Sequence, residues 1–290
     1  MSLHLDDRQR AMLAEMGVRV WQRPAPQQPT MPPTSTPTVT ASASTAQEVP
    51  SAAMPQLKHA LSDAATSSQT SDSQTVSALS PLPPGLAQMD WPQLQEAARH
   101  CRACALCEHR THSVFAHGAP PADGSATDLL IVGDAPSDAE DASGQAFAGN
   151  DGALLDAMLH ALGLDRAGQT NSPHSVVLVH AMKCRGPTQR HPSAEEIQRC
   201  QQYLSRQIAL LRPRVILALG RLAAQTVLHE QLGQHAGEPP ALGKLRGQVH
   251  QVQGCPVVVS YHPAYLLRTP ADKARAWSDL CLAMDQLPPH

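Results

Sequence analysis

Leu129-Leu130-Ile131-Val132-Gly133-Asp134-Ala135-Pro136 is the stretch that decides the fold. Four apolar residues in a row leave neither face of a strand to water. The run therefore reads as a strand buried on both sides, as in parallel sheets covered by helices. Gly133 closes it, and Asp134 is the first polar group past its end. Three further runs have the same character: Val176-Val177-Leu178-Val179, Val215-Ile216-Leu217-Ala218-Leu219-Gly220 and Pro256-Val257-Val258-Val259-Ser260. Helical patterns lie between and after them. Residues 153–162 carry Leu154, Leu155, Met158, Leu159 and Leu162 at helical spacing, and 193–211 opens on a capping box, Ser193 with Glu196, and stops before Pro213. Residues 221–229 and 274–287 read as two more helices. Short apolar strands alternating with helices predict an α/β domain around a central four-stranded, mostly parallel sheet.

In such sheets ligands sit beyond the carboxyl ends of the strands. The first strand runs into Gly133-Asp134-Ala135-Pro136-Ser137-Asp138-Ala139-Glu140-Asp141, the second into His180 and then Lys183-Cys184-Arg185, the fourth into Tyr261-His262-Pro263-Ala264. Carboxylates and two histidines thus reach one rim, the raw material of a catalytic site. The plainer alternative is that Asp134 caps a helix and His262 satisfies a backbone carbonyl.

Cysteine spacing adds a second signal. Cys101 and Cys104 form a Cys-x-x-Cys pair, and Cys184 and Cys200 follow far downstream. Thiolates so arranged suit tetrahedral zinc or an iron–sulfur cluster, and spacing alone does not choose. Four unrelated buried thiols are the plain alternative. Cys107 extends the first pair, but Thr111 stands where a bacterial ferredoxin run would continue. Cys255 and Cys281, alone in apolar segments, read as small hydrophobes.

The chain has 290 residues, yet from Ala25 to Gly85 it is rich in Pro, Ser, Thr, Ala and Gln, with Glu48, Lys58, Asp63 and Asp72 its only acidic or basic residues apart from histidine and no aromatic residue. Such a stretch buries too little apolar area to offset chain entropy, so it reads as a disordered linker. The expected organisation is a short N-terminal helical segment at 1–24, the linker at 25–88 and one compact domain at 89–290. Residues 5–16, with Met12, Leu13 and Met16 on one side, form a helix that either docks on the domain or binds a protein partner. A net charge of −3 gives no global basic field for nucleic acid. No run of eighteen apolar residues calls for a membrane, and a secretory leader is not evident. Cysteines at ligand spacing favour a reducing compartment, so the cytoplasm is expected.

With these pieces in order, the chain resembles the iron–sulfur uracil-DNA glycosylases of family 4 over nearly everything from Cys101 to Leu282. The resemblance rests on Cys101 and Cys104, Gly133-Asp134-Ala135-Pro136 with Glu140-Asp141, Gly144-Gln145-Ala146-Phe147-Ala148-Gly149, Lys183-Cys184-Arg185, Cys200, and Tyr261-His262-Pro263-Ala264-Tyr265-Leu266-Leu267-Arg268. It implies a three-layer α/β/α sandwich and a [4Fe–4S] cluster on Cys101, Cys104, Cys184 and Cys200, with Cys107 outside it. It also implies a monomer that hydrolyses the N-glycosidic bond of uracil in DNA after the base is flipped out. On that reading Phe147 is the aromatic platform. His262 donates to the uracil oxygen, helped by the backbone N–H near Ala135. Asp134 or Glu140 favours the cationic sugar and orients water, Leu266 and Leu267 form an apolar wedge, and Arg268, Lys273 and Arg275 hold phosphates. Three positions depart from the family pattern. His180 stands where a base-reading asparagine is usual, Gln189 replaces a second asparagine, and Ser137 replaces a glycine. The competing expectation is a catalytically weakened or altered-specificity member that acts as a damaged or single-stranded DNA-binding protein. A zinc-stabilised hydrolase of another substrate is a third.

Overall fold

A computed structural model describes residues 80–121, 123–166, 174–187, 190–232 and 240–288. The helix expected at 5–16, the linker up to residue 79, and Gln189 lie outside the described residues. Strands β1 (Ala116–His117), β2 (Leu129–Gly133), β3 (Val176–His180), β4 (Val215–Leu219), β5 (Val249–Val252) and β6 (Cys255–Ser260) form one sheet in the order β1-β3-β2-β4-β6-β5. The four expected strands are its parallel centre, and β1 and β5 add antiparallel edges to β3 and β6. The sheet is thus six-stranded rather than four-stranded. Its edges carry no apolar run, because β1 is two residues long and β5 is only partly buried.

The helices are α1 (Trp91–Arg99), α2 (Asp138–Ser143), α3 (Asn150–Ala161), α4 (Ala194–Leu211), α5 (Arg221–Val227), α6 (His229–Leu232), α7 (Leu242–Leu245), α8 (Pro263–Arg268) and α9 (Lys273–Met284). Strand side chains alternate between faces, and the packing follows that period of two. Leu129, Ile131, Leu178, Leu217 and Val258 meet Leu155, Met158 and Leu159 of α3 and Trp277 and Leu280 of α9. Leu130, Val132, Val177, Ile216, Val257 and their neighbours meet Leu204 and Leu211 of α4 and Ala223, Ala224 and Val227 of α5. Helices therefore cover both faces, giving the expected three layers. The Ser193–Glu196 capping box opens α4 as read from sequence, with Ser193 Oγ accepting from Glu196 N at 3.2 Å.

A smaller cluster joins Leu86, Leu94 and Ala98 to Phe115 and Tyr203, with Trp91 edge-on to Phe115 at 5.0 Å. Leu86 is buried in it, so packing begins before Met89, the boundary expected from composition. No helix among the described residues is long and apolar enough to cross a membrane.

Topology locates the site. From β2 the chain crosses to β3 on one side and next to β4 on the other, so the order reverses about β2, and in sheets of this kind ligands bind at the carboxyl end of such a reversal. Register does the rest: Gly133 pairs with His180, and Leu219 with Ser260, two residues before His262.

Candidate functional site

At the end of β2 a glycine is required by close approach. A Cβ on Gly133 would lie 2.5 Å from Nδ1 of His180 and 2.6 Å from Cζ of Phe147. Those two rings stack, with centroids 4.7 Å apart and planes at 26°, and His262 lies near-parallel to Phe147 at 5.8 Å and 20°. One phenyl ring and two imidazoles thus gather at the rim that the strand ends suggested.

Phe147 is held from several sides. Its backbone adopts φ 54°, unusual for a bulky residue. Its N–H donates to Glu140 Oε1, and its carbonyl accepts from Arg166 Nη1 at 2.9 Å, with Arg166 anchored on Asp156. The neighbouring α3 turn approaches so closely that a Cβ at Gly152 would collide with the Phe147 carbonyl.

Glu140 organises the rest. It is 3% exposed. Its Oε1 bonds His180 Nε2 at 2.7 Å as well as Phe147 N, and its Oε2 accepts from Ser137 N at 2.6 Å. Ser137 and Glu140 form the capping box of α2. Burial pushes the Glu140 carboxyl upward, but the hydrogen bonds from His180 and from the Ser137 N–H outweigh it and hold it near 2. The carboxylate is therefore an acceptor, which assigns the Nε2 proton to His180. In the neutral ring, Nδ1 is then a bare acceptor, and it is buried with no partner. With its bonds directed inward, Glu140 positions His180 and the Phe147 loop; it is not a free carboxylate for orienting water.

The other imidazole has the opposite polarity. His262 is the N-cap of α8, and its Nδ1 accepts from Ala264 N at 3.2 Å. That leaves the proton on Nε2, again buried and unpartnered. Burial, with His180 nearby, lowers its pKa to about 4, so at neutral pH the ring is an uncharged donor. An acceptor at His180 Nδ1 and a donor at His262 Nε2 flank the same phenyl ring.

Asp134 lies further along the rim. Its Oδ1 accepts from Ala223 N at 2.8 Å, at the start of α5, and it lines a recess with His191, Arg221 and Gln225. Burial, opposed by that N–H bond, raises it to about 6. The capping role considered at the outset is real for this residue. Ala135 packs against Leu106, Met182 and Cys184.

On α8 the structure separates the two leucines. Leu266 is fully buried in the core, whereas Leu267 is 42% exposed, the single large apolar side chain left exposed among the described residues. Of the two leucines expected to form a wedge, only Leu267 reaches the surface, because adjacent positions on a helix face different directions. Arg268 is exposed. Arg275 is exposed and pairs with Asp272 at 2.9 Å, and Lys273 is half-buried.

Cys101, Cys104, Cys184 and Cys200 line one enclosed pocket together with Arg110, Lys183, Arg199 and Tyr203, and Cys107 is not part of that lining. Arg110 Nη1 donates to Cys184 Sγ at 2.9 Å, and Lys183 N to Cys200 Sγ at 3.2 Å. Burial pushes the Cys184 thiol up to about 12 and Cys200 to about 11, so thiolates there need a cationic centre. Conversely Lys183, 2% exposed, pairs with no carboxylate among the described residues, so the filled site, its thiolates included, suits a net negative charge. Among the described residues no three His, Cys, Asp or Glu side chains are gathered as a single ion requires. Four thiols lining one pocket with three cations fit a thiolate-bound cluster instead. Sequence reasoning missed the Arg166 clamp, which carries no motif, and the capping box at Ser137, which was legible as S-x-x-E.

Comparison with known proteins agrees with this architecture. Residues 121–281 match the family described as the uracil DNA glycosylase superfamily. A type-4 uracil-DNA glycosylase of Pyrobaculum aerophilum is 35% identical over 199 residues, 67% of this chain and 93% of that protein. One from Archaeoglobus fulgidus is 32% identical over 191 residues, 64% of this chain and 89% of its own length. One from Thermotoga maritima is 31% identical over 183 residues, 63% and 85% of the two chains. The chain belongs to the uracil DNA glycosylase superfamily, within its type-4 branch.

Proposed function

We propose that this protein is a DNA-repair hydrolase that excises uracil from DNA. The observation carrying the reading is the pair of buried, unpartnered imidazole nitrogens beside Phe147, one acceptor and one donor. Uracil presents an N3–H between two carbonyl oxygens, so it needs both. Cytosine keeps a carbonyl at O2 but has a bare N3, so two acceptors, its N3 and His180 Nδ1, would face each other. His180 Nδ1 is assigned to the N3–H and His262 Nε2 to a carbonyl oxygen, with the base against Phe147.

In the reaction the C1′–N1 bond breaks and its electron pair leaves with the base. Water oxygen bonds to C1′, one water proton is released, and the uracil anion takes up a proton. Negative charge spreads from N1 onto the carbonyl oxygens, and an oriented, uncharged Nε2–H stabilises it without reorganisation. Asp134 is assigned to the positive charge that develops on the sugar. Outside the pocket, Leu267 fills the space left by the flipped base, and Arg268, Lys273 and Arg275 hold phosphates. Cys101, Cys104, Cys184 and Cys200 would hold a [4Fe–4S] cluster, which when bound closes a long loop and stabilises the fold. We assign the protein to the cytoplasm, as a monomer, and residues 1–24 to a partner-binding role.

Incubation of purified protein with a uracil-containing oligonucleotide, followed by alkaline cleavage of abasic sites, tests the activity. Strand breaks at uracil are expected, and an intact strand would refute it. A broad visible band with bound iron tests the cluster; colourless, iron-free protein that is fully folded would refute that part.

A further inference from the structure

The excision mechanism above gives no role to Lys183, yet its side chain joins the two functional regions. It is 2% exposed, lies in the wall of the thiol pocket, and donates from Nζ to the backbone carbonyl of His180. Its own backbone is fixed at both polar groups: N donates to Cys200 Sγ at 3.2 Å, and O accepts from Val114 N at 2.8 Å. Its neighbours are thiols and a carbonyl dipole rather than a carboxylate.

A solvent-facing lysine would gain nothing from such a position. A buried ammonium is strongly unfavourable unless a negative group compensates it, and here that group is whatever charge the thiol pocket holds. Its other end grips the last residue of β3, whose ring accepts the base. We propose that Lys183 is a positioning residue that couples the charge held in the thiol pocket to the placement of the base-reading imidazole of His180. The inference rests on the assignment of His180 to the base. Loss of the thiolate charge in the pocket removes the reason for the ammonium to stay, and the end of β3 loses its tether before the sheet loses its packing.

The test uses the full-length protein with its thiol pocket loaded, labelled with 15N-histidine. Lys183→Met removes donor and charge; Lys183→Gln keeps a shorter, uncharged donor. In Lys183→Met the visible band should remain, while the His180 ring nitrogens shift and single-turnover excision falls roughly tenfold or more, as expected for losing a charged hydrogen bond. Lys183→Gln should show the same displacement in smaller degree. His180 signals identical to wild type in the Gln variant overturn the proposal, even if the Met variant does not fold. Loss of the band with unchanged His180 signals also overturns it, because Lys183 would then serve the thiol pocket alone. Wild-type protein inactive on uracil would sink the excision reading, yet leave the His180 displacement as a valid test of Lys183.

Discussion

Gly133→Ala is the sharpest probe of the site, since its effect follows from three atoms. The added methyl would stand 2.5 Å from His180 Nδ1 and 2.6 Å from Phe147 Cζ, about 1 Å inside the 3.4 Å of ordinary contact. Neither ring is free to yield. His180 is bonded to Glu140 at 2.7 Å, and Phe147 is clamped at its N–H by Glu140 and at its carbonyl by Arg166. Overpacking of this kind costs about 1–3 kcal/mol, which lowers the melting temperature by roughly 2–4 °C per kcal/mol in a domain of this size. Excision should suffer far more, because a misplacement of about 1 Å in a catalytic group costs on the order of a hundredfold. Differential scanning fluorimetry and single-turnover excision on the same preparation separate the two effects. A variant that loses stability but excises uracil at the wild-type rate would show that the rings beside Gly133 do not read the base.

Glu140→Gln should abolish the fixed tautomer of His180, since an amide can donate to Nε2 and move the proton to Nδ1; excision falls by about a hundredfold or more, and rates within threefold of wild type would contradict the assignment. The Glu140 carboxyl is held at about 2, below its ordinary 4.5, so its contribution to stability is present above about pH 4.5 and is lost as pH falls toward 2. Urea titrations across that range should show a larger loss in wild type than in the Gln variant, where Glu196 on Arg190 still titrates. Leu266→Ala should cost about 2–5 kcal/mol of stability, whereas Leu267→Ala should change stability by less than about 0.5 kcal/mol yet slow excision from duplex more than from single strands. Equal effects of Leu267→Ala on both substrates would remove it as the wedge. Cys184→Ala is expected to give colourless, poorly soluble protein, and iron analysis alongside circular dichroism checks it.

The sheet was legible because its central strands are unbroken apolar runs, and burial on both faces writes itself into Leu129–Val132 and Val215–Leu219. The edges were not, since two residues at β1 and the mixed Val249–Val252 leave no pattern to read. Helix α2, Asp-Ala-Glu-Asp-Ala-Ser, has no apolar stripe and exists because Ser137 caps it and Glu140 closes the cap. At the site, Phe147, His180 and His262 were visible as residue types at strand ends. Their polarity was not: the donor at His262 depends on the Ala264 N–H, and the acceptor at His180 on a carboxylate forty residues away. Leu266 and Leu267 show the same limit. Both fit a wedge by composition, and only the helix phase of α8 decides which one faces outward.

The proposed function rests on two imidazoles of opposite polarity that recognise uracil and stabilise its departure. Single-turnover excision by wild type and His262→Ala, on a uracil oligonucleotide and its cytosine counterpart between pH 5 and 8, tests it most directly. His262, lowered to about 4, does not titrate in that range. Wild type should cleave at uracil and leave cytosine intact, and His262→Ala should be slower by about a hundredfold at every pH. Equal rates for the two proteins, or cleavage at cytosine, would contradict the account.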